Sequence, residues 1–317
     1  MPHAPPPLAR ALAEVGLTAE HGTLLAGLPE RELLRIDVPG SDAWRLWQHF
    51  RARFGGTGFW PVFVGGHYGT DFVLDHLGFT VGSGDDEEET DFDERPPPPL
   101  PPAAILAAAD ELPFERWVAQ RRDPAWWAEH HLAKAEHIER TTGEKDNPIA
   151  LHYRRFGDQW RNDPPRDPPV EEYRWPAELD QLPLQVRPAT IETLDENYRR
   201  ILADEAALVF CPVQHGWQVP AHLPFDPVED SERPPSLHVA FLRWLSEHWG
   251  AALIGIGDRT LDVLPKRHPA SEREALLLAK DVSSYAFEPI TGDVNCKVPQ
   301  WAAFLKHSPF WSFCFAD

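Results

Sequence analysis

A chain of 317 residues with 42% hydrophobic residues is long enough to bury one large core or two smaller ones. Its 50 acidic residues outnumber its 30 lysines and arginines, which gives a formal net charge of −20. Such a charge argues against binding to nucleic acid or to an anionic membrane, because both need local positive charge on the protein. It fits a well-solvated surface or a protein that meets a basic partner.

The cysteines and the N-terminal residues of the sequence indicate the cellular compartment. Cys211, Cys296 and Cys314 are too few and too scattered for a disulfide framework. The start of the chain contains no apolar stretch of signal-peptide length, and no stretch approaches the about 18 apolar residues that span a membrane. We therefore expect a cytoplasmic protein with reduced thiols.

Residues 1–82 are predicted to form an N-terminal α/β unit. The run LLRIDV at 33–38 is typical of a short strand. Ser41 is placed to cap a helix whose apolar residues repeat at helical spacing, and Gly55–Gly56 is placed to end it. The next run, FWPVFVGG at 59–66, is apolar on both faces and predicts a buried strand.

Residues 83–102 are predicted to be an acidic and proline-rich linker. The run DDEEETDFDE at 85–94 carries eight acidic residues, and RPPPPLPP follows at 95–102. Charge repulsion and polyproline stiffness favour an extended chain, since there is almost no apolar surface to bury.

Residues 103–190 are predicted to contain a helical region followed by a strap on the surface. Helical periodicity runs over 103–142, and the segment 143–190 is rich in proline and aromatic residues. A disordered segment rarely carries so many aromatic residues, so we expect the strap to be anchored. Its predicted anchors are Trp160, Tyr173 and Trp175. Together with Trp217 of the C-terminal part, they are the candidate binding residues.

Residues 191–317 are predicted to form a C-terminal α/β domain. Its first helix is predicted at 190–202, and its first strand, AALVFCPV, is predicted at 206–213. A short extended piece is predicted at 217–223. The remaining elements are a helix from Pro235 to Gly250, strands at 251–257 and 260–265, a helix with a capping box at Ser271 and Glu274, a helix from Pro299 and a strand at 310–315.

A set of residues in this C-terminal part forms a recognisable pattern. Its members are Cys211–Pro212, His215–Gly216–Trp217, Val219–Pro220–Ala221, Trp244, Trp249–Gly250–Ala251 and the aromatic end at 310–317. The pattern resembles the bacterial family named domain of unknown function DUF4253, strongly over 205–317 and more loosely in the N-terminal part. Cys314 and Ala316 depart from it, because bulky aromatic residues are expected there. The resemblance implies a fold and a bacterial source, but no activity.

Cys211, His215 and His222 are the candidate catalytic residues. Cys211 and His215 lie four positions apart, as a thiol and an imidazole of a nucleophilic pair could. The same three residues could converge on a metal ion, but no second Cys or His motif supports this. The alternative is a buried cysteine in a strand and a histidine in a turn. We expect no bound metal and no cofactor.

The sequence as a whole predicts a mixed α/β protein, with a mixed sheet flanked by helices. Two functions remain open. The first is a non-enzymatic protein-binding module of immunity or inhibitor type, which uses its acidic surface and aromatic anchors against a basic protein. The second is an enzyme with a cleft near His215 and Trp217. A pocket with converging polar side chains would favour the second function, and a broad surface without a pocket would favour the first.

Overall fold

The computed structural model describes residues 4–25, 33–65, 70–76, 100–145, 147–164, 170–173, 205–225, 233–257, 259–286, 288–289 and 298–315. Residues 83–99 of the predicted linker, the predicted helix at 190–202 and the predicted anchor Trp175 lie outside the described residues.

The described strands form one mixed, open sheet, which confirms the predicted α/β fold. Its strand order is β1-β2-β4-β3-β5-β6-β8-β7, and only the β3–β5 pair of this sheet is parallel. The strands are β1 (Gly22–Leu25), β2 (Leu33–Pro39), β3 (Phe59–Val64), β4 (Glu205–Pro212), β5 (Ala252–Ile256), β6 (Thr260–Leu264), β7 (Glu288–Pro289) and β8 (Trp311–Cys314).

Helices cover both faces of this sheet. In chain order the described helices are α1 (Pro6–Ala13), α2 (Gly40–Thr57), α3 (Thr70–His76), α4 (Pro102–Glu111), α5 (Phe114–Arg121), α6 (Pro124–Thr142), α7 (Pro148–Asn162), α8 (Val219–His222), α9 (Pro235–Trp249), α10 (Glu272–Ser283) and α11 (Val298–His307). None of them is both long enough and apolar enough to cross a membrane.

Strand β4 lies between β2 and β3, so the two ends of the chain build the sheet together. Val209 of β4 pairs with Arg35 of β2 on one side and with Val62 of β3 on the other. The segments 1–82 and 191–317 therefore meet within one sheet.

Alternating residues of β4 supply the two sides of the core. Leu208 and Phe210 pack with α1 and α2 on one face of the sheet. Val209 and Cys211 face the other side, where α4, α5, α9, α10 and α11 pack. The large side chains expected in the core are buried, as predicted: Trp47, Phe210, Phe241 and Trp244.

The ends of α2 differ from the prediction. The helix begins after Pro39 with no side-chain cap, so Ser41 does not cap it. Gly55 and Gly56 continue the last turn, and the helix ends at Gly58, whose φ of 72° is left-handed. One glycine in this conformation is sufficient to end a helix, and the two preceding glycines remain compatible with helical geometry.

Part of the predicted strap is a helix. Asn147 begins α7, since its side-chain oxygen accepts hydrogen bonds from the backbone N–H groups of Ile149 and Ala150 at 3.0 and 3.4 Å. Gly157 lets α7 lie close against α6. The ring of Trp160 of α7 contacts that of Trp127 of α6, with 5.5 Å between the ring centroids and 31° between the planes.

Candidate functional site

A pocket of about 170 Å³ lies at the end of the sheet where β4 ends and where β3 and β5 begin. It is built by residues that are far apart in sequence, from α2, β3, the turn after β4, α9 and the start of β5. Its lining consists of Arg51, Phe54, Trp60, His215, Gly216, Trp217, Leu242, Ser246, Gly250, Ala251 and Leu253. No Asp or Glu is among these described lining residues, and Arg51 is the one Lys or Arg among them.

Trp60 is the fixed wall of this pocket. Its indole Nε1 donates a hydrogen bond of 3.0 Å to the backbone carbonyl of Leu253, and the ring of Phe54 contacts it edge-on at 5.0 Å. Gly216 lies directly against the indole, because a Cβ atom there would overlap three ring atoms of Trp60. Glycine at this position therefore allows the turn after β4 to close on the ring.

Arg51 lies over Trp60 and has no counter-ion among the described residues. Its guanidinium carbon is 4.1 Å from the ring centroid of Trp60 and 5.9 Å from that of Phe54, which is cation–π geometry. Its Nε is buried without a hydrogen-bond partner, and none of the described carboxylates forms an ion pair with it. By contrast, Arg53 on the same helix pairs with Glu14 at 2.5 Å.

Burial lowers the pKa of Arg51 below its ordinary value, because desolvation disfavours the charged form. An arginine nevertheless stays protonated in proteins. The pocket thus contains a positive charge that is partly removed from water and paired with no acid of the described chain.

The turn after β4 holds His215 and Trp217 at the pocket. The side-chain oxygen of Gln218 accepts hydrogen bonds from the backbone N–H groups of Gln214 and His215 at 2.8 and 2.9 Å. The His215 and Trp217 rings stack at 5.2 Å with an angle of 8° between their planes. The segment predicted as extended at 217–223 is instead a 3-10 turn, Gly216–Gln218, followed by α8.

Helix α9 adds one further polar group. Ser246 lines the pocket, and its hydroxyl makes no hydrogen bond to the described part of the chain. The helix ends at Gly250, whose φ of 62° turns the chain toward Ala251 and β5. The lining of the pocket therefore includes a cation and a hydroxyl, and neither has a hydrogen-bond partner among the described residues.

The candidate catalytic residues do not form one site. Cys211 is fully buried in the core, and burial raises the pKa of its thiol, so a reactive thiolate is disfavoured. His215 is exposed at the pocket, whereas His222 is half-buried at the end of α8. Within the described ranges, no three His, Cys, Asp or Glu side chains are placed to hold a metal ion.

The predicted binding residues are dispersed as well. Trp217 lines the pocket. Trp160 instead contacts Trp127 between α6 and α7, and Tyr173 packs against the core on the face of the sheet that α9 and α10 cover. The sequence reasoning missed Arg51 and Ser246. No local signal distinguishes Arg51 within the run RARF, since the ring on which it lies comes from β3 and the turn that completes the pocket comes from residues after β4.

Comparison with known proteins identifies one region of the chain. Residues 207–315 match the family described as Domain of unknown function (DUF4253), which confirms the resemblance over this region. No curated protein and no solved structure matches the chain. The matched region supplies His215, Trp217 and Ser246 to the pocket, whereas Arg51 and Trp60 lie outside it.

Proposed function

We propose that the protein binds a small ligand that carries an oxyanion, a carboxylate or a phosphate, in the pocket at Arg51. The observation that carries the proposal is the guanidinium of Arg51, which lines the pocket, is partly desolvated and has no acid partner among the described residues.

The energetic argument concerns this uncompensated charge. A cation that is withdrawn from water without a partner is costly, and an anion that enters the pocket would offset this cost. The planar guanidinium matches the two oxygens of a carboxylate or phosphate. A hydrogen bond to a charged group contributes about 1.5–3 kcal/mol, or about 10- to 100-fold in the dissociation constant.

The surroundings of Arg51 strengthen such an interaction. Trp60, Leu242 and Leu253 are apolar and buried, and they reduce the water around the bound group. Ser246 offers a hydrogen-bond donor beside this apolar surface.

Binding of a basic protein partner stays a prediction. The acidic run at 85–94 lies outside the described residues. Trp160 and Tyr173 use part of their ring surface in contacts within the chain. The pocket lies near His215 and Trp217, where the second function, that of an enzyme, predicted a cleft. This location supports the binding of a small ligand more than it supports a broad protein interface.

Isothermal titration of the purified protein with acetate, benzoate, phosphate and sulfate tests the proposal. At least one of these anions should bind, and Arg51→Met should weaken that binding at least tenfold. Arg53→Met is the matched control, because Arg53 lies one half-turn away and pairs with Glu14 outside the pocket. Binding that is equally strong in the wild type and in Arg51→Met would contradict the proposal, as would no binding of any anion.

A further inference from the structure

We infer that the ligand of this pocket is a planar, single-ring carboxylic acid of about the size of benzoate. The inference rests on the proposed oxyanion site and adds the chemical class of the molecule that carries the charge. Three properties of the pocket support it: its volume, the flat rings of its wall, and Arg51, the one Lys or Arg among its described lining residues.

The volume of the pocket limits the ligand to about one ring. An apolar cavity of about 150 Å³ is known to hold a benzene molecule, whereas pockets for larger ligands span about 300–1,000 Å³. At about 170 Å³, this partly open pocket has room for one six-membered ring. A nucleotide or a sugar phosphate would extend well beyond it.

The wall of the pocket favours a flat molecule. Four of its side chains are rings: Phe54, Trp60, His215 and Trp217. Trp60 is fixed by its hydrogen bond to Leu253, and Trp217 is held in its stack with His215. Aromatic rings attract one another in offset and edge-on arrangements, beyond the burial of their area. Trp60 itself is 4% exposed, with Arg51 over its ring and Gly216 against it, so a planar ligand ring would contact Phe54, His215 or Trp217. A puckered saturated ring would use these rings less well.

The charge of the pocket favours a monoanion. Arg51 is the one Lys or Arg among the described lining residues, and no described acid offsets it. A carboxylate neutralises one guanidinium through two parallel hydrogen bonds. A phosphate dianion would leave a second charge beside the apolar surfaces of Leu242 and Leu253, where charge is poorly solvated.

Dissociation constants of four ligands for the wild-type protein test this inference without any variant. Benzoate should bind at least tenfold more tightly than acetate and several-fold more tightly than cyclohexanecarboxylate, its saturated counterpart. Adenosine monophosphate should bind more weakly than benzoate. Equal affinities for benzoate and cyclohexanecarboxylate, or tighter binding of acetate or of the nucleotide, would overturn the inference while leaving the oxyanion site in place.

A variant of the wall separates ring recognition from charge recognition. Trp217→Leu should remove most of the preference for benzoate over cyclohexanecarboxylate, two ligands that carry the same charge and differ in the shape of their ring. Trp126→Leu is the control, because Trp126 is a half-buried tryptophan on α6 outside the pocket. An unchanged preference in a folded Trp217→Leu protein would contradict the inference.

Discussion

At the scale of single residues, Gly216 sets how closely the turn after β4 approaches Trp60. A Cβ atom at this position would overlap the Cζ2, Cε2 and Cη2 atoms of the indole. The indole cannot move away easily, because its Nε1 donates a hydrogen bond to the backbone carbonyl of Leu253 and its ring is in contact with Phe54 and Arg51. The shape of the pocket thus depends on the absence of one methyl group.

The variant Gly216→Ala should lower the free energy of unfolding by about 1–3 kcal/mol, as overpacking usually does, and should weaken ligand binding. Denaturant unfolding measures the first effect. Gly55→Ala is the matched control: no atom lies within 4 Å of its added Cβ, and alanine is the better helix former by about 1 kcal/mol. If Gly216→Ala is as stable as the wild type, the turn after β4 can move away from Trp60, and the proposed close packing is wrong.

His238 makes the stability of the fold depend on pH. It is fully buried on α9, where its Nδ1 lies 2.5 Å from the hydroxyl of Tyr285. Burial, together with the nearby charge of Arg233, lowers the pKa of His238 to about 3. Because an unfolded histidine takes up a proton near pH 6.5, the unfolded state binds more protons than the folded state below that pH.

Lowering the pH from 7 to 5 should therefore destabilise the wild-type protein through His238 by about 2 kcal/mol. The loss begins below the unfolded pKa of about 6.5 and continues toward the folded pKa of about 3. In His238→Gln, the loss of unfolding free energy between pH 7 and pH 5 should be smaller by about 2 kcal/mol. The two slopes can be compared by urea unfolding, and equal slopes would mean that His238 is protonated in the fold.

At the scale of elements, Gly157 fixes the distance between α6 and α7. An added Cβ would lie 2.7 Å from Leu132 Cγ and 3.0 Å from the backbone oxygen of Ala128. The backbone oxygen cannot rotate away, so a side chain at this position would separate the two helices.

Gly157→Val should lower the protection of amide hydrogens in 124–162 against exchange with deuterium, because the helices lose close packing. Gln159→Val is the control, as it places the same β-branched residue on an exposed position of α7. The pocket lies elsewhere, so anion affinity should stay unchanged in both variants. Equal protection in Gly157→Val and Gln159→Val would contradict the proposed packing.

Local signals predicted some elements and missed others for physical reasons. The cap at Ser271 was predicted correctly, because Ser271 Oγ and the backbone N–H of Glu274 meet within one turn, at 3.1 Å. The helix α7 was missed, since its many aromatic residues and the prolines around it do not resemble a helical face. His215 and Trp217 were predicted to lie beside a cleft. Arg51 could not be assigned to that cleft from the sequence, because only the tertiary structure brings it to the turn after β4.

At the scale of the whole molecule, the sheet joins the matched family domain to the first part of the chain. Strand β4 is the first strand of the matched region, and both of its hydrogen-bonded neighbours, β2 and β3, come from residues 33–64. Strand β3 also connects β4 to β5. The region 207–315 therefore lacks a continuous sheet when it is considered without β3.

A fragment of residues 205–317 should not unfold cooperatively, since β4 would expose two unpaired edges and the Phe210 side chain. Co-expression with residues 1–204 should restore a folded complex. Thermal unfolding followed by circular dichroism measures both results. A sharp transition of the isolated fragment near that of the full chain would show that the C-terminal region folds alone.

The central claim is that the pocket of Arg51, Trp60 and Trp217 holds a carboxylate. The most direct measurement is a crystal structure of the full chain with 4-bromobenzoate, in which the anomalous signal of bromine locates the ligand. We predict one ligand in this pocket, with its carboxylate within hydrogen-bonding distance of the Arg51 guanidinium and its ring against Trp217. An empty pocket at a concentration that saturates binding in solution, or bromine at another site only, would contradict the claim.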